Sequence, residues 1–388
     1  MKPLFIANDP SIFREGSGAR TRMRAYAEEF GELHILARAS RNCIVTDGPL
    51  TLHGVLVPKL FAPLVLGNCA RALIRKNGID IVSAQDPFEH GWAALRATKG
   101  TPAALHVQAH TDFLSPWFTD PRGVSSGRMR ALNRQRVRIA DRVLPHADGI
   151  RVVSERIKTS IEERYAGKLK TVPVVIPLTV SSTVPEAVPL PEPRFPFSLV
   201  TVSRLEAEKR IDDILTALAQ IHLRYPGVGL YIIGDGRERE RLTRRVRALG
   251  LADAVRFLGD RKDAWGLLRS AHGFIQASAY EGYGRTLLEA ALARVPIITT
   301  DVGIVGEVFT GFRDVLSIPP RDPNGLAAQI MGLVEDSQTR HGIVIHAELA
   351  AKAHLESLPP LAAAVKQDLM DTVARKNLGG SGAVIQGT

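Results

Sequence analysis

The sequence has 388 residues, 45% of them hydrophobic and 23% charged, which predicts a folded chain of two domains and excludes extensive disorder. Its net charge of +10 comes from the N-terminal half, because residues 1–180 contain 26 Lys and Arg against 16 Asp and Glu. That excess indicates either a solvated basic face or contact with anionic lipid, an acidic acceptor or nucleic acid.

In the N-terminal half, short apolar runs alternate with helical stretches, as in parallel sheets joined by crossover helices. Amphipathic periodicity predicts helices at Thr21–Phe30 and Arg128–Leu144. The predicted strands are Pro3–Ala7, His34–Ala37, Ile79–Ala84, Ala103–Gln108, Gly149–Val153 and Thr171–Ile176. These elements indicate one Rossmann-like domain over residues 1–180.

A proline-rich stretch at 181–196 predicts an extended linker, after which the pattern restarts. The predicted strands are then Phe197–Val202, Gly229–Ile233, Ala254–Phe257, Gly273–Gln276, Pro296–Thr299 and Val315–Ile318. Helices are predicted at Gly325–Glu335 and at Leu361–Arg375. We expect a second Rossmann-like domain over 197–355, a C-terminal helix within 356–377 and a flexible tail at 378–388.

The predicted fold class is α/β, with two Rossmann-like, doubly wound domains that face each other across a cleft. Open parallel sheets bind ligands beyond the carboxyl ends of their strands. Functional residues are therefore expected at the turns between strands and helices.

Two turns carry glycine pairs. Gly16 and Gly18, in EGSGARTR, follow the first strand, where backbone amides can approach a phosphate or an acceptor. Gly234 and Gly236, in GDGRER, follow a strand of the second half. Neither turn has the third glycine of a dinucleotide fingerprint, and neither is a Walker A loop. Nicotinamide and ATP chemistry are therefore disfavoured.

The strand LHVQAHTDF ends with His110 and Asp112, which are expected to project into the cleft. An imidazole there can hydrogen-bond a sugar hydroxyl or the reacting centre. A purely structural role for this histidine is the alternative. His106 and Trp117 are interpreted as structural.

The stretch SRLEAEKR places Arg204 and Lys209 at the first turn of the second domain. Arg provides a planar fork of donors and Lys a compact charge, so the pair can neutralise a departing nucleoside diphosphate. A surface pair that caps the following helix is the alternative.

The strongest local signal is EGYGRTLLEA. Glu281 lies in a glycine-containing loop and can reach sugar hydroxyls, and the helix that starts after the loop aims free N–H groups at a phosphate. Glu289, within that helix, can accept hydrogen bonds from a ribose. The candidates on the donor side are Gly284, Arg285, Thr286 and Glu289. A capped helix with an acidic first turn is the alternative.

No cofactor and no metal are predicted, because there is no Asp-x-Asp pair and no His or Cys cluster with metal-ligand spacing. Cys43 and Cys69 give no disulfide framework and fit a reducing cytosol. The segment MKPLFIANDP lacks the features of a signal peptide, and no apolar run approaches the roughly 18 residues of a membrane span. We expect a cytoplasmic protein, with any membrane contact peripheral at the inner face.

Four segments occur in the order and spacing of one family: VSRLEAEKRIDDIL, YIIGDGRERERL, VRFLGD and EGYGRTLLEA. The sequence resembles the group-4 family of retaining glycosyltransferases over most of its length. The resemblance implies the GT-B fold and transfer of a sugar from a nucleotide-diphosphate sugar to a glycan, glycolipid or small-molecule acceptor. Polysaccharide or glycolipid biosynthesis is the corresponding expectation.

The resemblance also implies roles for single residues. Arg204 and Lys209 would bind the donor diphosphate, and Glu281 would contact the transferred sugar. Further donor contacts are implied for Gly234, Gly236, Gly259, Gly284, Arg285, Thr286 and Glu289. His110 is the counterpart of the family's active-site histidine, and Asp112 is a candidate for acceptor binding. The first domain would bind the acceptor, the second the donor, and the last helix would cross back to the first.

Two other functions remain open. A nucleotide-sugar epimerase or phosphorylase can use the same architecture. A nucleic-acid or membrane-surface binding protein would explain the basic half but not the ordered motifs of the second half. Arg130, Arg134 and Arg138, at helical spacing, predict a surface that contacts anionic lipid or is simply solvated.

Overall fold

The computed structural model of the chain describes residues 1–7, 9–120, 127–192 and 194–381. Its contacts divide the chain into two units. The first unit comprises Met1–Leu114, Ala131–Pro177 and Pro359–Thr388, and the second comprises Ser115–Arg130 and Leu178–Leu358. Each unit has its own β-sheet and its own hydrophobic core.

The sheet of the first unit is mostly parallel. Its strands are β1 (Pro3–Ala7), β2 (Leu33–Arg38), β3 (Cys43–Asp47), β4 (Leu50–Val55), β5 (Ile81–Ala84), β6 (Ala104–Ala109), β7 (Gly149–Val152) and β8 (Val174–Val175). They are ordered β3-β4-β2-β1-β5-β6-β7-β8, and only β3 and β4 pair antiparallel. The central strands are buried along their whole length, as expected when helices cover both faces.

The sheet of the second unit is entirely parallel. Its strands are β9 (Phe197–Val202), β10 (Val228–Ile233), β11 (Val255–Gly259), β12 (Gly273–Gln276), β13 (Ile297–Thr300) and β14 (Leu316–Ile318). Their order is β11-β10-β9-β12-β13-β14. The order reverses between β9 and β12, so the turns that follow these two strands form the topological switch point.

Helices connect the strands in both units. In chain order they are α1 (Gly18–Phe30), α2 (Ala62–Asn77), α3 (Glu89–Thr98), α4 (Pro116–Thr119), α5 (Gly127–Val143), α6 (Glu155–Arg164), α7 (Ile211–Ile221), α8 (Arg239–Ala248), α9 (Ala264–Leu268), α10 (Arg285–Leu292), α11 (Pro323–Glu335), α12 (Ser337–Ser357) and α13 (Leu361–Ser381). None of the helices that the structure describes has both the length and the apolar character of a membrane span.

The last helix packs into the core of the first unit. Val365 and Leu369 of α13 are fully buried there, in one cluster with Phe5 and Ile35. The helix continues to Ser381, past the predicted end at Arg375. The rest of the predicted tail, 382–388, lies outside the described residues.

Three local features differ from the sequence-based expectations. The β3–β4 hairpin was not predicted, since β3 is an edge strand whose side chains are at most half-buried and carry little apolar pattern. The strand expected at Thr171–Ile176 is only β8, because Pro173 interrupts it. The predicted linker packs on the second unit, where the Val188 amide donates to the carbonyl of Gly266 at 2.9 Å.

The segment Ser115–Arg130, predicted within the first domain, groups with the second unit. Phe118 packs edge-on against Tyr280, with 5.5 Å between ring centroids. The Arg321 guanidinium lies 5.5 Å from the ring centroid of Trp117. These contacts come from side chains far apart in sequence, so periodicity in the segment itself could not reveal them.

Candidate active site

Lys209 and Glu281 form an ion pair at the switch point of the second unit. Lys209 ends a short 3-10 turn after β9, and Glu281 lies in the turn after β12. Lys209 Nζ is 2.5 Å from Glu281 Oε1, and the Ser278 hydroxyl donates to the same oxygen at 2.7 Å. The side chains are only 15% and 14% exposed. The structure thus brings together two residues that lie 72 positions apart in the sequence.

The backbone holds the two turns against each other. The amide of Ala279 donates to the carbonyl of Glu208 at 2.7 Å, directly beside the ion pair. The hydroxyl of Thr300, at the end of β13, donates to the carbonyl of Ser278 at 2.7 Å. The pair is therefore anchored from three neighbouring strands, which limits how far either charge can move.

Arg204 lies in the same turn as Lys209 but is far more open. Its side chain is 76% exposed, and its guanidinium lies 3.7 Å from Glu208. An exposed pair at that distance contributes little to stability. The guanidinium is therefore accessible to an anionic ligand, whereas the ammonium of Lys209 is held in place.

The start of α10 combines a glycine turn with a buried amide. Gly284 has φ of 92°, a left-handed conformation that favours glycine. The Thr286 hydroxyl donates to Gln276 Oε1 at 2.9 Å, and the buried Gln276 Nε2 has no partner among the described residues. Gln276 was missed from the sequence, although an amide at the end of a buried apolar strand is a usable signal. The free N–H groups of the helix and Gln276 Nε2 together favour an anionic or hydroxyl-bearing ligand.

Glu289 lies one turn further along α10 and is mostly buried. Burial raises the pKa of its carboxyl above the usual value, while the nearby Arg285 opposes the shift. The guanidinium of Arg285 is 3.5 Å from Glu289 Oε1. The structure therefore shows Arg285, a predicted donor contact, in an ion pair with another predicted donor contact.

The glycines in the turns of the second unit differ in why a side chain is excluded there. Gly234 has φ of 124°, and a Cβ there would lie 1.9 Å from the carbonyl oxygen of Ser203. A Cβ on Gly236 would lie 2.4 Å from the carbonyl oxygen of Leu205. Gly259 bridges to Gly234, whose amide donates to it at 2.7 Å, but a Cβ on Gly259 would meet open space. The first two glycines allow the GDGRER turn to lie against the turn that carries Arg204.

The first glycine turn lies between β1 and α1, as predicted. Gly16 has φ of 70°. Ser17 caps α1, since its hydroxyl accepts from the Arg20 amide at 3.2 Å. Gly18 is the first residue of α1, and a Cβ there would meet only the flexible end of Arg22 at 3.6 Å. The structure thus gives a backbone reason for Gly16 but none for Gly18.

His110 follows β6 in the first unit and belongs to a chain of polar side chains. Its Nε2 is 3.0 Å from Gln108 Oε1. Gln108 bonds to Ser83, Ser83 to His106 at 2.8 Å, and His106 to Asp368 of α13 at 2.9 Å. His106, interpreted as structural from the sequence, is fully buried in this chain.

Two acidic residues lie near His110. Asp112 is buried, and its role in acceptor binding stays a prediction. Asp86, after β5, accepts from the amide of Phe88 at 2.8 Å and pairs with His90. This pairing raises the pKa of His90 against the effect of burial. Within the described ranges, no three His, Cys, Asp or Glu side chains are grouped so that they could hold a metal ion.

Two family models match the chain in succession. The model for glycosyltransferase family 4 matches residues 21–180, and the model for glycosyl transferases group 1 matches residues 189–349. Glycogen synthase of Mycobacterium tuberculosis (strain ATCC 25618 / H37Rv) is 30% identical over 208 residues, 53% of this chain and 50% of that protein. Phosphatidyl-myo-inositol mannosyltransferase of Mycolicibacterium smegmatis is 32% identical over 145 residues, 37% of each chain. The chain thus matches about half or less of these relatives' length.

Solved structures share the fold over nearly the whole chain. Sucrose-phosphate synthase from Thermosynechococcus elongatus has a TM-score of 0.77 at 18% identity, covering 96% of this chain and 99% of that one. Anabaena HepE, solved with UDP and glucose, has a TM-score of 0.69 at 18% identity with the same coverage. The predicted fold class, with two Rossmann-like domains, is confirmed. The solved structures show that the chain has the GT-B fold. The two family models together match most of the chain, one on each half, so the chain belongs to the family 4 glycosyltransferases.

Proposed function

We propose that this protein transfers a sugar from a nucleotide-diphosphate sugar to a hydroxyl of a glycan, glycolipid or small-molecule acceptor. The observation that carries the proposal is the 2.5 Å pair of Lys209 and Glu281 at the switch point of the second unit. A cation for the phosphate and a carboxylate for the sugar are thereby held next to each other. Family membership and the names of the relatives support the same reaction.

The diphosphate would lie beside Lys209, Arg204 and the start of α10. An ammonium has three donors, so Lys209 can keep its bond to Glu281 and still donate to a phosphate oxygen. Arg204 can close on the second phosphate from its exposed position. These groups would stabilise the negative charge that develops on the leaving diphosphate.

We propose that the anomeric configuration is retained. In the step, the bond from the anomeric carbon to the diphosphate oxygen breaks, and the acceptor oxygen bonds to the same face of that carbon. The acceptor proton passes to the leaving phosphate. Glu281 would stabilise the positive charge on the sugar while it is transferred. NMR of the product tests this, since an inverted anomer would contradict it.

Donor binding is tested by thermal shift with UDP, GDP, ADP and their common sugar conjugates. UDP conjugates are tried first, because HepE was solved with UDP and glucose. A rise in Tm with one nucleotide should be lost in the double variant Arg204→Ala, Lys209→Ala. Arg224→Ala is the matched control, since Arg224 is also 70% exposed but pairs with Glu335. If no nucleotide raises Tm, the proposal fails.

We also propose that the reaction needs no divalent metal, since Lys209, Arg204 and the α10 N-terminus supply positive charge. Turnover should be unchanged by EDTA, and a loss restored by Mg²⁺ or Mn²⁺ would overturn this. An epimerase or phosphorylase would turn over the donor without an acceptor or only with orthophosphate. The family match favours neither of these alternatives nor a nucleic-acid binding protein.

We propose peripheral contact of the first unit with anionic membrane. Four large apolar side chains are exposed within nine residues, Leu56, Leu60, Phe61 and Leu64, and Leu60 is 84% exposed. Residues 48–79 contain four Lys and Arg and no Asp or Glu. Exposed apolar groups in a segment that carries only positive charges fit an anionic lipid surface.

Flotation with liposomes tests the contact. Binding should require anionic lipid and should be lost in Leu60→Glu, Phe61→Glu, with a smaller loss in Arg134→Ala, Arg138→Ala. Absence of binding to anionic liposomes would contradict the proposal. Self-association that the Leu60→Glu, Phe61→Glu variant abolishes, without any liposome binding, would identify a second copy of the chain as the occupant instead.

A further inference from the structure

The buried amide of Gln108 lies between groups that can only donate and groups that can accept. Arg151 of β7 donates from its guanidinium to Gln108 Oε1 at 3.0 Å. On the other side, Gln108 Nε2 is 2.9 Å from the hydroxyl of Ser83. A guanidinium has no acceptor, so the oxygen of the amide must face Arg151. Two partners on opposite sides thus fix the orientation of the amide.

That orientation determines which nitrogen of His110 carries a proton. His110 Nε2 lies 3.0 Å from the same Gln108 Oε1, an atom that can only accept. Nε2 must therefore carry a hydrogen and donate it. Nδ1 has no hydrogen-bond partner among the described residues. A neutral His110 consequently presents an unprotonated Nδ1 as a hydrogen-bond acceptor.

His110 is also neutral over the ordinary pH range. Burial lowers the pKa of His110 to about 3. The charged Arg151 across the amide and His106 of β6 contribute to the same shift, and Asp86 beyond β5 opposes it. A group with so low a pKa is a poor general acid or base near pH 7.

We propose that Gln108 and Arg151 are positioning residues that hold His110 as the neutral tautomer protonated at Nε2, with Nδ1 free to accept a hydrogen bond from a substrate hydroxyl. The inference rests on the proposed sugar transfer. It gives His110 the role of orienting a hydroxyl instead of moving a proton. Arg151 acts through Gln108 and does not contact the substrate.

The tautomer can be measured without any substrate. The full chain is labelled with ¹⁵N at the imidazole nitrogens, and the signals of His110 among the 11 histidines are identified from a His110→Ala spectrum. We expect protonated Nε2 and unprotonated Nδ1 from pH 8 down to about pH 5. A signal from protonated Nδ1 in this range, or a mixture of tautomers, would overturn the inference.

Two variants at one position separate positioning from packing. Gln108→Glu keeps an acceptor for both Arg151 and His110, so the tautomer should persist. Its negative charge raises the pKa of His110, and activity should fall as the pH is lowered, in a range where the natural protein is unaffected. Gln108→Leu removes the acceptor, so His110 should show both tautomers and kcat/KM should fall by about a hundredfold. Equal pH profiles for Gln108→Glu and the natural protein would contradict the inference.

Failure of this inference and failure of the proposed function give different results. If the natural protein transfers no sugar but shows the Nε2 tautomer, the function is wrong and the positioning stands. If it transfers sugar while His110 is protonated at Nδ1, the positioning is wrong and the function stands. If Gln108→Leu does not fold, the spectrum of the natural protein and the Gln108→Glu profile still decide.

Discussion

The two units carry polar clusters of opposite character. In the first unit, the chain from Asp368 to His110 is buried, with His106 at 0% and Gln108 at 2% exposure, and its members bond to one another. In the second unit, the Lys209 side chain is paired with Glu281 and is 15% exposed, whereas the Arg204 side chain in the same turn is 76% exposed. The first cluster is joined mainly by bonds among its own members and leaves His110 Nδ1 without a partner among the described residues, whereas the second leaves donors available to an anion.

This difference indicates how each unit would contribute to the proposed sugar transfer. A buried network of bonds among side chains fixes geometry and protonation during folding, before any ligand arrives. A partly exposed set of cations can still bind an anion. It can therefore stabilise the negative charge that develops on a leaving group. Variants of the first cluster should therefore act mainly through stability and orientation, and variants of the second mainly through turnover.

The largest effect is expected for Lys209→Ala. It removes the ammonium that holds Glu281 and that would meet the diphosphate. The kcat should fall by about a thousandfold, ~4 kcal/mol of barrier, as for loss of a group that stabilises transition-state charge. Steady-state kinetics with the donor found by thermal shift measure it.

The controls are Glu281→Gln and the double variant with Lys209→Ala. Because the two side chains act as a pair, the double variant should be little slower than the slower single variant. Strictly additive losses would show that the two residues act independently. That result would remove the ion pair as the basis of the proposed site.

A loss of about 3 kcal/mol in the free energy of unfolding is expected for Asp368→Ala in the first cluster. His106 is fully buried, and the substitution leaves its Nε2 without a partner. Leaving a buried donor without its charged acceptor costs about 3 kcal/mol. Urea denaturation should show this loss, and Asp368→Asn should recover part of it because the amide oxygen still accepts. An unchanged midpoint for Asp368→Ala would show that α13 does not support the His110 network.

Most of the fold could be predicted from the sequence, because most strands and helices are determined by local patterns of apolar and turn residues. Strands such as Phe197–Val202 are continuous apolar runs between turn residues, and the structure gives that strand the same bounds. Residues at strand ends, such as Lys209 and Glu281, could be named because parallel sheets bring those ends to one edge. What could not be predicted was the ion pair itself, which depends on side-chain packing.

Two of the residues that the sequence analysis missed lie in strands whose apolar sequence predicts only a buried core. Gln108 and Gln276 are amides inside apolar segments, and their partners come from other elements. Asp368 is 262 positions from His106. No local pattern contains such a pairing, since it exists only after α13 packs on the first sheet.

A backbone effect of about 3 kcal/mol should distinguish two glycines of the second unit. Gly234→Ala places a Cβ 1.9 Å from a backbone oxygen at φ of 124°, so the turn must shift. Gly259→Ala is the matched control, because φ is 70° and the Cβ meets open space, and it should cost only about 1 kcal/mol. Urea denaturation compares the two variants. Equal losses would show that the close approach of the two turns does not matter for stability.

The smallest effect is expected for Glu289→Gln. This variant is also the most direct test of the difference between the two clusters. Because burial raises the pKa of Glu289 in the folded chain, its charged form opposes folding at neutral pH. That cost is absent below the pKa of the unfolded chain and is complete above the raised pKa. Glu289→Gln should therefore be more stable than the natural protein at pH 7, by up to about 1 kcal/mol. The gap should close as the pH falls toward 4.

The same substitution should weaken donor binding, because an amide accepts hydrogen bonds less strongly than a carboxylate. Urea midpoints between pH 4 and 7 measure the stability gap, and nucleotide-dependent thermal shifts measure binding. Higher stability of Glu289→Gln together with weaker nucleotide binding would show that the Glu289 charge opposes folding and contributes to ligand binding. Lower stability at pH 7 would mean that the bond to Arg285 outweighs burial. The second cluster would then also be held mainly by bonds among its own members, and the contrast between the two units would fail.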